Sequence, residues 1–267
     1  MFSSVTALGI INGDPVLQYT PTGEPLLTFF MNIIRYYQIN GQPAEDFLCL
    51  KVVVERQEAE QLNTDLAAWQ QVLVSGYLIT DDAKGAPEII FDGQNQPRAY
   101  YKISAMEVVK TGAIQKDEDP AWLPGYCDVI AVGNLGQDPE LRYISSGSAV
   151  ANLNIAVNRK FSGQDQTIWL RATAWGKTAE NCAQYLKKGR QVLARGRLQT
   201  DRGENGEEPT NPGGPRIWTA QDGTARASHE ISVITVQFLG GGGGGRGTNS
   251  GAPSPQDVAN SLEDVFA

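Results

Sequence analysis

The residues of this chain best suited to act on a ligand lie in the run TIWLRATAW, residues 167–175. Successive side chains of an extended strand point to opposite faces, so Ile168, Leu170, Ala172 and Ala174 share one face and Trp169, Arg171, Thr173 and Trp175 the other. The small and aliphatic set belongs in a core. Two tryptophans flanking an arginine are a costly surface to expose unless something covers it. Stacked bases with a phosphate on the guanidinium would do so, at about 1–3 kcal/mol per stack. Another domain or subunit would do so equally well, and this strand alone leaves both readings open.

Other positions favour the first reading. Phe161 follows Arg159 and Lys160 at the end of the preceding strand, and Trp218 lies in a long polar hairpin that also carries Arg226. Arg190, Arg195 and Arg197 lie on or beside the next strand, and Lys177 opens a helix. For the helix lysines Lys177, Lys187 and Lys188 a solvated surface is the better reading, and the strand arginines are the better candidates.

Enzyme chemistry finds little to work with. The single histidine, His229, reads as a strand residue, and Cys49, Cys127 and Cys182 are odd in number, far apart and without a CxxC pair. Neither a catalytic triad nor a structural zinc site can be assembled from them, and reduced thiols are expected. The glycine run 240–245 lacks the context of a phosphate loop. No enzyme activity, cofactor or metal is expected. No run of eighteen apolar residues and no signal peptide is present in the sequence, which suggests a cytoplasmic protein with no membrane partner.

The elements that must hold these residues are written twice. GIINGDPVLQYTPTG at 9–23 and GNLGQDPELRYISSG at 133–147 agree at Gly, Asp-Pro, Leu, Tyr and Gly with an offset of 124. Arg35 and Tyr37 answer to Arg159 and Phe161 at the same offset, Phe47 to Trp169 at 122, and Gly76 to Gly196 at 120. The chain divides into a first copy at 1–110, a linker at 111–127 holding Trp122, a second copy at 128–239, and a Gly-rich tail at 240–267 that is expected to be disordered.

In the second copy, strands are predicted at 129–135, 150–158, 168–175, 191–198 and 230–239. A helix is predicted after the third, with Ala179, Cys182, Ala183 and Leu186 on its apolar face and Thr178 as its cap. The first copy places a helix at 57–69, between strands at 47–54 and 72–78. Five strands with a helix between the third and fourth is the order of an OB fold. The fold class is mainly β: two tandem OB folds and a disordered C-terminal tail.

The motifs GNLGQDPELRY, VANLNIAVNRKF, TIWLRATAWGKTAE, YLKKG and GRL, in order across 133–198, resemble the bacterial single-stranded DNA-binding proteins. Over the whole chain the resemblance is to the subtype with two OB folds per polypeptide. It implies base stacking on Phe161, Trp169, Trp175 and Trp218, and beside these the basic residues Arg159, Lys160, Arg171, Lys177, Arg190, Arg195, Arg197 and Arg226 are read as the candidate phosphate contacts. It also implies a homodimer presenting four folds, sequence-independent service in DNA replication, recombination and repair, and a nucleoid-associated location. The family's tail binds replication and repair proteins, and Leu262, Glu263, Asp264, Val265 and Phe266 form a comparable acidic and apolar tip.

The first copy departs in chemistry. Phe47, Cys49, Lys51 and Val53 are set against the Trp169–Trp175 face, and Tyr37 and Phe91 are its other stacking candidates, Phe91 reading equally well as core. Arg35 and Lys51 are its candidate phosphate contacts. It holds 7 Lys and Arg against 13 Asp and Glu, whereas the second copy holds 13 against 11. The first copy thus reads as an assembly module or as a weaker DNA contact. Two alternatives for the whole chain are a single-stranded RNA-binding protein and an OB scaffold joining replication proteins without touching DNA.

Overall fold

Period-2 alternation of apolar residues runs through both copies and folds as strands. A computed structural model describes residues 1–39, 42–80, 84–113, 125–161, 164–203 and 208–240, with the backbone alone described at 37–39, 42–44, 159–161 and 164. The tail from 241, including its 262–266 tip, and linker residues 114–124 lie outside the described residues.

The first copy supplies β1 (Phe2–Tyr19), β2 (Pro25–Ile39), β3 (Gln42–Glu55), α1 (Gln57–Asp65), β4 (Gln70–Ile79), β5 (Ile89–Phe91), β6 (Pro97–Ala99) and β7 (Tyr101–Ala113). The second supplies β8 (Tyr126–Leu135), β9 (Glu140–Tyr143), β10 (Ala149–Phe161), β11 (Gln164–Trp175), α2 (Gly176–Tyr185), β12 (Gln191–Leu198), β13 (Ile217–Thr219), β14 (Ala225–Ala227) and β15 (His229–Phe238). In the first, β1 pairs with β2 and β4, and β7 joins β3 to β4. In the second, β8 pairs with β10 and β12, and β15 joins β11 to β12. Both are five-stranded OB barrels with a helix between the third and fourth strands.

Inward residues such as Val5, Val72, Val74, Val129, Ile168 and Leu170 are buried, each worth about 1.5–3 kcal/mol against exposure. Each helix adds its own buried set, Ala59 and Leu66 in one copy and Ala179, Cys182 and Leu186 in the other. Thr178 does not cap α2: the helix starts at Gly176, straight after the extended Trp175, without a side-chain cap. The helix α1 stops at Asp65, and Trp69 belongs to the turn beyond it, its N–H donating to the Ile11 carbonyl at 3.0 Å.

The two barrels share one sheet. β1 runs antiparallel to β8, with the equivalent residues Val5 and Val129 opposite each other, so the copies are related by a pseudo-two-fold through that pair. Other contacts obey the same relation. The buried Tyr101 donates its hydroxyl to the Gln199 carbonyl at 2.6 Å, and its ring lies 6.0 Å from that of its equivalent, His229. Because β15 starts opposite Leu170, it leaves the Trp169 N–H without a strand partner, and the first copy's Gly85 carbonyl accepts it at 3.1 Å. The Cys49 N–H is accepted in turn by the second copy's Gly213 carbonyl at 2.8 Å.

These pairings correct the sequence alignment of the third strands. Leu50 lies opposite Tyr101, and Leu170 opposite His229, which makes the offset on this strand 120 rather than 122. Trp169 is therefore equivalent to Cys49, Arg171 to Lys51 and Trp175 to Glu55, while Phe47 stands two residues earlier. The cause is the β2–β3 hairpin: Arg35 faces Asp46, whereas Arg159 faces Gln166, so the first copy's hairpin is longer by four residues. Matching aromatic to aromatic absorbed only two of them.

Candidate nucleic-acid interface

The outer face of β11 presents Trp169 and Trp175, 44% and 47% exposed, with Arg171 between them in an ion pair with Glu230 at 3.8 Å. Trp169 is positioned from beneath by backbone. A Cβ at Gly136 would lie 2.6 Å from the indole, so the second glycine of the GNLGQDPE motif makes room for the ring. The equivalent residue in the first copy is Asn12, where Cys49 replaces the tryptophan and no such room is required.

The β13–β14 hairpin reaches over this face. Trp218 sits on it, 38% exposed and directly opposite Arg226. Arg226 is held by Asp222 at 2.6 Å. The Asp222 carboxyl is pulled down to about 2, first by the Thr224 hydroxyl and N–H, then by Arg226. Trp169, Arg171 and Trp218, with Gly136, Gln137 and Asn154, line a cleft of about 360 Å³. A second cleft of about 280 Å³ lies on the Trp175 side, lined by Trp175, Arg202, Arg216, Glu230 and Ser232. The geometry offers two flat apolar rings per strand face with cations between and beside them. Such a surface can stack planar groups and hold anions. Among the described residues, no group of three His, Cys, Asp or Glu converges as a metal site. The thiols of Cys49 and Cys127 are pushed up to about 12 by burial, and that of Cys182 to about 11.

The remaining candidates fall in several places. Arg190 and Arg197 are exposed, and Lys177 is solvated and paired with Glu180 at 3.1 Å. Arg195 points from the sheet shared by the two barrels into a pair with Asp128 at 2.9 Å, away from the β11 face. At Tyr37, Arg159, Lys160 and Phe161 only the backbone is described, on the β2 and β10 hairpin arms. Phe91, 61% exposed on the β5–β6 hairpin, is not core. Phe47 is 40% exposed with its ring against Gly213 of the second copy.

One prediction is overturned. Arg35 is no phosphate contact: its side chain is 8% exposed, with Nε and Nη2 donating to both Asp46 carboxylate oxygens at 2.6 and 2.8 Å and Nη1 to the Leu198 carbonyl at 2.9 Å. The end of β2 lies under the second barrel, which turns a surface cation into a clamp between the folds. Sequence reading also passed over Arg202 and Arg216. Arg216 stands two residues before Trp218, the spacing that shares a face in an extended segment, and that signal was available.

Comparison with known proteins bears on this arrangement. Residues 127–211 match the model of the single-strand binding protein family. A curated single-stranded DNA-binding protein of Wolinella succinogenes is 37% identical over 140 residues, covering 51% of this chain and 75% of that protein. Among solved structures, the wild-type single-stranded DNA binding protein of Thermus aquaticus superimposes with a TM-score of 0.59 at 22% identity, over 95% of this chain and 98% of that one. A deletion mutant of the same Thermus protein gives 0.60 over 94% and 97%. The fold is thus shared across both barrels, and by its sequence the chain belongs to the single-strand binding protein family.

Proposed function

We propose that this chain binds single-stranded DNA without regard to sequence and serves its replication, recombination and repair as a non-enzymatic, nucleoid-associated cytoplasmic protein. The observation that carries the reading is the β11 face, where Trp169, Arg171 and Trp175 stand exposed in a row under the Trp218 hairpin. Bases stack on the indoles, and the arginines beside them take the phosphates. The exposure of both tryptophans within the two-barrel unit argues against a scaffold role in which the sister fold covers them.

Two chains pair to present four folds. The support is the outward side of the sheet shared by the barrels, where Leu8, Leu73, Ile130, Val132 and Leu193 alternate with the buried core and stay only half-buried. The tip at 262–266 offers an anchor phenylalanine with flanking carboxylates to replication and repair partners.

Competition binding with labelled oligo(dT) tests the ligand. Unlabelled oligo(dT) is expected to displace the label at far lower concentration than duplex DNA or oligo(U), and the native mass is expected to be that of two chains. Equal displacement by duplex would overturn the single-strand reading, and a single-chain mass would overturn the dimer.

A further inference from the structure

Among the described residues, the hairpin that carries Trp218 is a two-stranded sheet of its own, joined to neither barrel by strand pairing. An isolated hairpin of this kind is marginal in water and needs something to pack on. It leans on the other fold: β13 lies beside β6 and β14 beside β5. The chain that leads into it is where the two copies differ in length. Gly85 and Gly213 hold the same place, since each gives its carbonyl to an N–H on the third strand of the other fold. Counted from Thr80 and Thr200, which follow the equivalent strands β4 and β12, Gly85 comes five residues later and Gly213 thirteen. The second copy is therefore longer by eight residues just before its arm.

The described part of this insertion is tied around the buried carboxylate of Asp201. One oxygen accepts the Gly203 N–H at 3.1 Å, and the other accepts the Thr210 hydroxyl and the Asn211 N–H, both at 2.9 Å. Asn211 then reaches across to the first fold. Its Nδ2 donates to the Ala99 carbonyl of β6 at 2.9 Å and to the Pro215 carbonyl at 2.7 Å, and the Ala99 N–H is directed back at Oδ1 at 3.5 Å. Arg98 adds a bond from Nη1 to the Thr210 carbonyl at 3.1 Å. The approach is too close for a side chain: a Cβ at Gly214 would lie 2.3 Å from both the Ala99 oxygen and the Asn211 amide nitrogen. Both amide hydrogens are thus used, one on each fold, and Pro215 stands three residues before Trp218. At 2% exposed, Asn211 does not present itself to DNA.

We propose that Asn211 is a positioning residue for DNA binding: by tying Pro215 to Ala99 it sets the Trp218 arm over Trp169 and Arg171 before DNA arrives, with the first fold as its footing. The proposal rests on the single-stranded DNA reading and concerns how the second fold closes on its strand. An arm free to swing would hold the competent pose only part of the time, and apparent affinity falls by that fraction. The first fold in this role raises affinity without touching the ligand.

The test is a double-mutant cycle on the full chain, read by the anisotropy of labelled oligo(dT) at fixed salt. Trp218→Ala is expected to weaken binding about 5- to 150-fold, as the loss of one stack does. Asn211→Ala is expected to weaken it about 3- to 10-fold when Trp218 is present and less than about 1.5-fold when Trp218 is already alanine, because residues that act through one another do not add. Should Asn211→Ala fail to fold, Thr210→Val carries the same cycle. It cuts one bond of the Asp201 knot at an exposed position, and is expected to cost about 2-fold with Trp218 present and nothing without it. A folded Asn211→Ala that is less stable but binds like the parent would overturn the positioning role and leave the residue a tie between barrels. Equal losses with and without Trp218 would overturn it too, as would a Trp218→Ala variant that binds like the parent. No binding of oligo(dT) by the parent would overturn the DNA reading itself, and the inference with it.

Discussion

Backbone places Trp169: Gly136 lies under its indole, and the Gly85 carbonyl of the other fold accepts its N–H. The placement of one indole therefore depends on two distant glycines. Strand alternation was enough to foresee that Trp169 and Trp175 face away from the core, because the period-2 rule is local. It could not foresee Arg35. Whether a strand cation meets solvent or a sister domain depends on Leu198, far along the chain, whose carbonyl completes its hydrogen bonds. Removing that guanidinium leaves Asp46 half-buried with only the longer contact to Arg202 at 3.3 Å. Arg35→Ala is expected to lower stability by about 3 kcal/mol, measured by denaturant unfolding, with DNA affinity of the folded protein nearly unchanged. A loss of affinity without a loss of stability would restore Arg35 to the binding surface.

Among elements, the helix entry and exit show how the copies diverged while keeping one backbone. Among the described residues, three other than glycine have positive φ: Arg56 at 66°, Trp69 at 71° and Asn95 at 59°. At their equivalents the second copy has Gly176, Gly189 and Gly223, with φ of 54°, 84° and 77°. The first copy has the same geometry without the glycines. Arg56, with ψ of −156°, sits in a region that is essentially glycine's own and costs on the order of 1–3 kcal/mol. Allowing for the greater freedom of glycine in the unfolded chain, Arg56→Gly is expected to stabilise the protein by about 1 kcal/mol, seen as a shifted denaturant midpoint at constant slope. A destabilised variant would mean that the Arg56 side chain contributes more than its backbone costs. The strand order, the helix between the third and fourth strands and the five strands of the second copy were all legible from periodicity and turn residues. The register of β3 was not. Two repeats whose hairpins differ by four residues can be slipped by two without breaking alternation, since a shift of two keeps every side chain on its face. Only the inter-strand pairing removes that ambiguity.

For the whole molecule, one continuous sheet, the Tyr101 hydroxyl bond and the reciprocal Gly85 and Gly213 contacts make the two folds a single body with two unlike faces. One face carries Trp169, Arg171 and Trp175; the other carries Cys49, Lys51 and Glu55 at the same places. A chain of net charge −8 can still hold a polyanion, because the field that matters is local to the clefts at Trp169 and Trp175. The central claim is that DNA stacks on those two indoles, and tryptophan fluorescence reads it directly. Titrating the full chain with oligo(dT) at low salt is expected to quench its fluorescence strongly. Trp169→Ala/Trp175→Ala is expected to lose most of that quench and about 1–3 kcal/mol of binding free energy per indole while remaining folded. No quench in the parent, or an unchanged affinity in the double variant, would contradict it.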